Sequence, residues 1–84
     1  IVNIEADDSG QSYILSITCM DRIGLLYDIA NVLNRHGINL QTAKIMTMGE
    51  RVEDVFLIDG IALKDLSNTV AIENELMTVL TPNI

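Results

Sequence analysis

The residues best suited to chemistry in this chain lie in the stretch Met20-Asp21-Arg22-Ile23-Gly24-Leu25-Leu26, where alternating apolar positions give way to helical spacing. A glycine at a strand-to-helix corner has no Cβ and lets another molecule approach the backbone closely. The first amides of a helix have no intrahelical partner and carry the positive end of its dipole, so such a corner can receive a carboxylate or a phosphate. The same layout also serves as a plain tight corner, and the motif alone leaves both readings open. Asp21 is either a carboxylate for an ammonium group or the N-cap of the helix. Asn39 offers a donor and an acceptor to a polar side chain such as an amide, or serves as a turn residue at the entry to a strand.

The other candidate groups have simpler readings. Cys19 falls on the apolar parity of its segment and reads as a buried small hydrophobe. It is the only cysteine, which excludes a disulfide framework and a thiolate zinc site and fits a reduced, cytoplasmic setting. His36 has no second histidine or nucleophile to pair with and reads as a helix-end residue. Glu53-Asp54 reads as a solvent-facing or interface pair, because it lacks companions for a metal site. Asp7-Asp8 belongs to a turn, since the spaced ligands of a calcium loop are absent. The four methionines are scattered and read as packing. Without a Ser–His, Cys–His or metal-ligand grouping, catalysis is not expected in these residues.

Composition narrows the partners. Twelve acidic against five basic residues give a net charge of −7. That argues against nucleic acid, whose binding depends on basic contacts to phosphate, and against an anionic membrane surface. A hydrophobic fraction of 49% indicates a real core. No apolar run approaches the length of a membrane span, and no basic leader with an apolar segment follows the start. At 84 residues the chain reads as one small domain, for which pairing is a natural way to cover more surface. Its opening on Ile1 rather than Met suggests a piece of a longer protein.

The elements that must position the candidate residues follow from periodicity. Val2, Ile4 and Ala6 alternate with polar residues, and Asp7-Asp8-Ser9-Gly10 makes a turn into a second alternating strand from Tyr13 to Cys19. Leu25, Leu26, Ile29, Ala30 and Leu33 form a helical stripe, ended by Gly37 in a left-handed stop, with Arg35 and His36 in the last turn. Ile38 to Met48 reads as a strand whose pattern changes phase, which a bulge near Gln41-Thr42 reconciles. Gly49-Glu50 turns the chain into Arg51–Asp59, whose Val55-Phe56-Leu57-Ile58 run suits a central strand. Beyond Asp59-Gly60, Ser67 to Leu80 reads as a second helix with Ile72, Leu76, Val79 and Leu80 inward, and Pro82 marks its end.

The order β-β-α-β-β-α is an α+β pattern, a ferredoxin-like split βαβ without its last strand. The N-terminal hairpin predicts that Ile1–Ala6 takes the place of that strand. The result is a four-stranded antiparallel sheet with both helices on one face.

Together these residues resemble the ACT domain family. The family pattern is an Asp-Arg-Pro-Gly-Leu-Leu turn and helix, then Gly-X-Asn-Ile, then an Ala in the following strand. The corresponding pieces here are Asp21-Arg22-Ile23-Gly24-Leu25-Leu26, Gly37-Ile38-Asn39-Leu40 and Ala43. The string Gly49-Glu50-Arg51-Val52-Glu53-Asp54-Val55-Phe56 is similar to the C-terminal ACT domains of bifunctional uridylyltransferase/uridylyl-removing enzymes of PII nitrogen signalling. Ile23 stands in place of the family's Pro, which would preset φ and remove a donor. A looser turn is the expected consequence.

The resemblance implies a regulatory amino-acid-sensing domain, with glutamine as ligand. The implied binding residues are Asp21, Arg22, Ile23, Gly24, Leu25, Leu26 and Asn39. It implies no cofactor within these residues and magnesium in the parent enzyme. It also implies PII protein as the parent's substrate, and another ACT domain as partner, in tandem or as a homodimer. Two other readings stand beside it: a dimerisation or scaffold module that binds no ligand, and a small acylphosphatase-like enzyme using Arg22 and Asn39.

Overall fold

A computed structural model describes residues 1–81. The expected helix end at Pro82 lies outside the described residues. The chain forms β1 (Val2–Ala6), β2 (Tyr13–Met20), α1 (Leu25–Arg35), β3 (Asn39–Met48), β4 (Arg51–Asp59), a 3-10 turn (Ile61–Lys64) and α2 (Leu66–Leu80). The 3-10 turn was not legible in the sequence, and α2 begins one residue before the expected Ser67.

The four strands make one antiparallel sheet in the order β1-β2-β4-β3. The hairpin therefore puts β1 where the sequence requires it, beside the strand that leads into α1. Ile1 is tied to Thr18 by two hydrogen bonds, its amino group donating at 2.8 Å and its carbonyl accepting at 2.9 Å. On the outer side of β1, the Ile4 amide donates to the Glu73 carboxylate of α2 at 2.8 Å. One outward amide at the middle of this edge is thus taken up by a helix side chain, which works against pairing with another chain.

The bulge falls where the change of phase demands it. Leu40 lies opposite Ile58 and Thr42 opposite Leu57, so Gln41 is the extra residue. From Ala43 onward the helix-facing parity is restored, with Ala43 opposite Phe56, Ile45 opposite Asp54 and Thr47 opposite Val52. All ten residues of β3 are nevertheless exposed.

The core lies between the sheet and the two helices. Leu15 and Ile17 of β2, with Val52, Phe56 and Ile58 of β4, meet Leu25, Ile29, Val32 and Leu33 of α1 and Ile72 and Leu76 of α2. The helical stripe differs from the expected one. Leu26 is 49% exposed and Ala30 is exposed, whereas Val32 is fully buried. Residues 25, 29, 32 and 33 follow the i, i+4, i+7, i+8 pattern of one face. Leu26 is turned about 100° from Leu25 toward the uncovered flank above β3. In α2, Val79 and Leu80 are only partly buried, and Thr69 is buried instead.

At the end of α1, Gly37 adopts φ +70°, and the Ile38 amide reaches the Leu33 carbonyl at 2.9 Å. This is the left-handed stop expected of that glycine. None of the described helices is long and apolar enough to cross a membrane.

Candidate functional site

The corner between β2 and α1 is held from three sides. The Asp21 amide donates to the Glu50 carbonyl at 2.8 Å, fastening the exit of β2 to the β3–β4 turn. The Arg22 guanidinium donates to Asp28 at 2.6 Å, to the Val79 carbonyl of α2 at 3.2 Å and to the Ile23 carbonyl at 3.2 Å. Gly24 then takes φ +80°, a conformation that a side chain would strain, and delivers the chain into α1.

Asp21 is not the N-cap. Gly24 occupies the capping position and no side chain caps the helix. The left-handed turn at Gly24 places three residues between Asp21 and the first helical turn at Leu25, beyond the short reach of a capping carboxylate. The Leu25 amide meets the Arg22 carbonyl at 3.3 Å and the Asp28 amide meets the Gly24 carbonyl at 3.0 Å. The amides of Leu26 and Tyr27 have no backbone acceptor among the described residues. They are the free donors that the start of a helix provides.

Between this corner and the sheet lies an open cleft of about 230 Å³. Of the candidates named from the sequence, Asp21, Arg22, Gly24, Leu25 and Leu26 all line it. Ile23 does not, and projects into solvent with 99% of its surface exposed. Tyr27 of α1, Ile45 and Thr47 of β3 and Val52 and Asp54 of β4 complete the walls.

Asn39 is not brought to the cleft. Its Nδ2 donates to Asp59 at 2.9 Å across the β3–β4 pair, and Gln41 donates to the same carboxylate. These two bonds hold the Asp59 carboxyl below its ordinary range, Asn39 contributing first. Ile45 lies six positions along the extended strand from Asn39, a span of roughly 20 Å.

The residue that sequence reasoning missed is Asp54. The expectation of a solvent-facing or interface pair fails for Asp54, which is 1% exposed and faces the helices, while Glu53 is half-buried on the other face of the strand. It shares the helix-facing parity with Val52, Phe56 and Ile58, and its neighbours across the sheet are Ile17 and Ile45. Neither carboxylate oxygen has a hydrogen-bond partner among the described residues. Burial pushes its carboxyl above the ordinary value and the Asp21 charge adds to this, while the Met46 backbone N–H, close but short of hydrogen-bond geometry, opposes both. An acid at the same parity as three apolar residues of a central strand was the available signal.

The remaining candidates have structural partners. The His36 Nε2 lies 2.5 Å from Glu75, which also pairs with Arg35 at 3.1 Å, so His36 ties the end of α1 to α2. Cys19 is half-buried against the core, and burial, followed by the charge of Asp54, pushes its thiol up. Asp7 accepts from the Gly10 amide at 2.9 Å and from the Ser9 hydroxyl at 3.0 Å, as a turn residue does.

Comparison with known proteins gives this geometry a family. Bifunctional uridylyltransferase/uridylyl-removing enzymes from Burkholderia mallei (strain SAVP1) and Burkholderia thailandensis are each 48% identical over 79 residues. The match takes in 94% of this chain but only 9% of the length of those relatives. A crystal structure described as an unknown protein from Galdieria sulphuraria superposes with a TM-score of 0.71 at 24% identity, covering 83% of this chain and 39% of that one. It supports the fold. The sequence model of the ACT domain matches residues 13–77, spanning β2, the Gly24 corner, β3, β4 and most of α2. With the ferredoxin-like sheet order and the corner in place, the chain belongs to the ACT domain family.

Proposed function

We propose that this chain is a single ACT regulatory domain that senses glutamine on behalf of a cytoplasmic PII uridylyltransferase/uridylyl-removing enzyme. The observation that carries this reading is the cleft itself. It gathers the corner residues Asp21, Arg22, Gly24, Leu25 and Leu26 over a buried carboxylate that has no hydrogen-bond partner among the described residues. Free amides at the head of α1 suit a carboxylate, so the cleft offers both signs of charge that a zwitterion needs. Regulation would then require that glutamine bind two states of the parent with different affinity, biasing it between attaching uridylyl groups to PII and removing them. In this reading the magnesium implied for the parent enzyme is bound outside these residues.

The partner in this reading is another ACT domain, either a second copy or a tandem neighbour. The edge of β1 has its central Ile4 amide taken by Glu73, whereas β3 presents an edge with Leu40, Ile45, Met46 and Met48 between 39% and 58% exposed. An open apolar edge strand is a template for pairing. Asn39 would reach a ligand only from a partner's copy of β3. The same exposed edge favours the second reading, a dimerisation module without a ligand.

Titration of the isotope-labelled chain with glutamine, followed by amide NMR, tests the proposal. Shifts centred on Asp21–Leu26, Thr47 and Asp54 are expected. No response at millimolar glutamine, with self-association intact by sedimentation, would leave the scaffold reading in its place.

A further inference from the structure

The cleft at the head of α1 has an excess of negative charge. Asp21 and Asp54 both line it, and the one basic side chain there, Arg22, already donates to Asp28 and to two backbone carbonyls. Asp54 is the more demanding of the two acids, because it is 1% exposed and neither oxygen is hydrogen-bonded among the described residues. A buried polar group without a partner costs free energy that an apolar residue of similar shape would not. Its neighbours Val52, Phe56, Ile17 and Ile45 are all aliphatic or aromatic, so nothing in the sheet calls for an acid at this place.

The one donor that the described residues bring near Asp54 is the Met46 backbone N–H, and it falls short of hydrogen-bond geometry. A metal ion is a poor match, since among the described residues the cleft is lined by two carboxylates and no larger group of metal-binding donors is assembled. A primary ammonium needs less. It is compact, brings three donors and is satisfied by one or two carboxylates. On the other wall, Leu26 at the head of α1 contributes an amide without a backbone acceptor, a partner for a negative group. The cleft is thus bipolar over the dimensions of a small molecule.

We propose that Asp54 is the receptor for the α-ammonium group of a bound amino acid, with the first-turn amides of α1 facing its carboxylate. This rests on the amino-acid-sensing reading and adds to it the residue that recognises the amine. Asp21 assists from the rim, and Arg22 holds the corner rather than the ligand. Carboxylic acids that lack a free amine are excluded, because they leave Asp54 buried and unpaired.

Calorimetric titration of the 84-residue chain and its Asp54→Asn variant with L-glutamine, the other proteinogenic amino acids and N-acetyl-L-glutamine tests this. Glutamine is expected to bind the wild type. Both the variant and the N-acetyl compound are expected to bind about 10- to 100-fold more weakly, the range for a hydrogen bond to a charged group. If Asp54→Asn binds glutamine within about twofold of wild type, or the N-acetyl compound binds as well as glutamine, the role of Asp54 is overturned while amino-acid sensing stands. If the variant does not fold, the N-acetyl comparison on the wild type decides alone. If another amino acid binds in place of glutamine with the same loss in the variant, Asp54 is upheld and glutamine is not. Binding of no amino acid to the wild type overturns both.

Discussion

Replacing Asp54 by valine is expected to make this protein more stable. The carboxylate is 1% exposed and neither oxygen is hydrogen-bonded among the described residues, so the folded state carries an uncompensated desolvation cost. Such a group costs about 1–3 kcal/mol, and an apolar residue of similar shape removes the cost. Valine also suits a strand whose inward neighbours are Val52 and Phe56. A gain near the middle of that range, about 2 kcal/mol, raises the melting temperature of a domain of this size by roughly 8–16 °C. The pH dependence gives a second, independent signature. Burial raises the folded carboxyl above its ordinary value, with Asp21 adding to the shift. Between the unfolded and folded values the native chain holds a proton that the unfolded chain has released, so wild-type stability falls as pH rises through that interval. The valine variant has no such proton, and its advantage should widen across the interval and then level off. Thermal and urea melts of both proteins between about pH 4 and pH 8 measure this. A variant less stable than wild type near neutral pH, or a gap constant across the series, refutes the claim that Asp54 is a stability defect.

Three further changes probe the frame around the cleft. Gly24→Ala meets no atom within 4 Å but must hold φ +80°, so it is expected to cost about 1–2 kcal/mol in urea unfolding, purely from conformation; a much larger loss would mean a clash that the structure does not contain. Glu73→Ala removes the acceptor of the outward Ile4 amide and should cost about 1–2 kcal/mol, with faster hydrogen exchange at Ile4 while the amides that face β2 stay protected. The Asp65 carboxylate, held below its ordinary range by the Ser67 hydroxyl and amide, contributes stability at neutral pH. That stability is lost as pH falls from the ordinary carboxylate value through the depressed one. Asp65→Ala should therefore lower stability at neutral pH and flatten the acid side of the profile, and an unchanged acid side in circular-dichroism melts would show that the cap contributes nothing.

What could be read from the sequence and what could not divide along a physical line. The β1 hairpin, the bulge at Gln41 and the stop at Gly37 were legible because each is forced locally. A face must stay apolar, a phase must be restored, or a backbone must turn left-handed, and the residues that satisfy such demands stand next to one another. The capping role of Asp21 and the burial of Leu26 failed for a different reason. Both depended on where the helix starts and which flank it presents, and the left-handed Gly24 moved that start and left the β3 side uncovered. Asp54 is the sharper case. Charged residues are almost never fully buried without a partner, and that regularity assigns an Asp in a strand to the solvent. The parity of β4 said otherwise, with Val52, Phe56 and Ile58 all inward and Asp54 between them. Where a general rule about charge and a local rule about alternation disagree, the backbone obeys the alternation, because a slip of one residue would expose the three apolar side chains to keep one acid wet. The acid is therefore buried as a consequence of register. Its lack of a partner is what makes it informative, since register explains where the carboxylate lies but not why the position is an acid at all, and binding of a cationic group does.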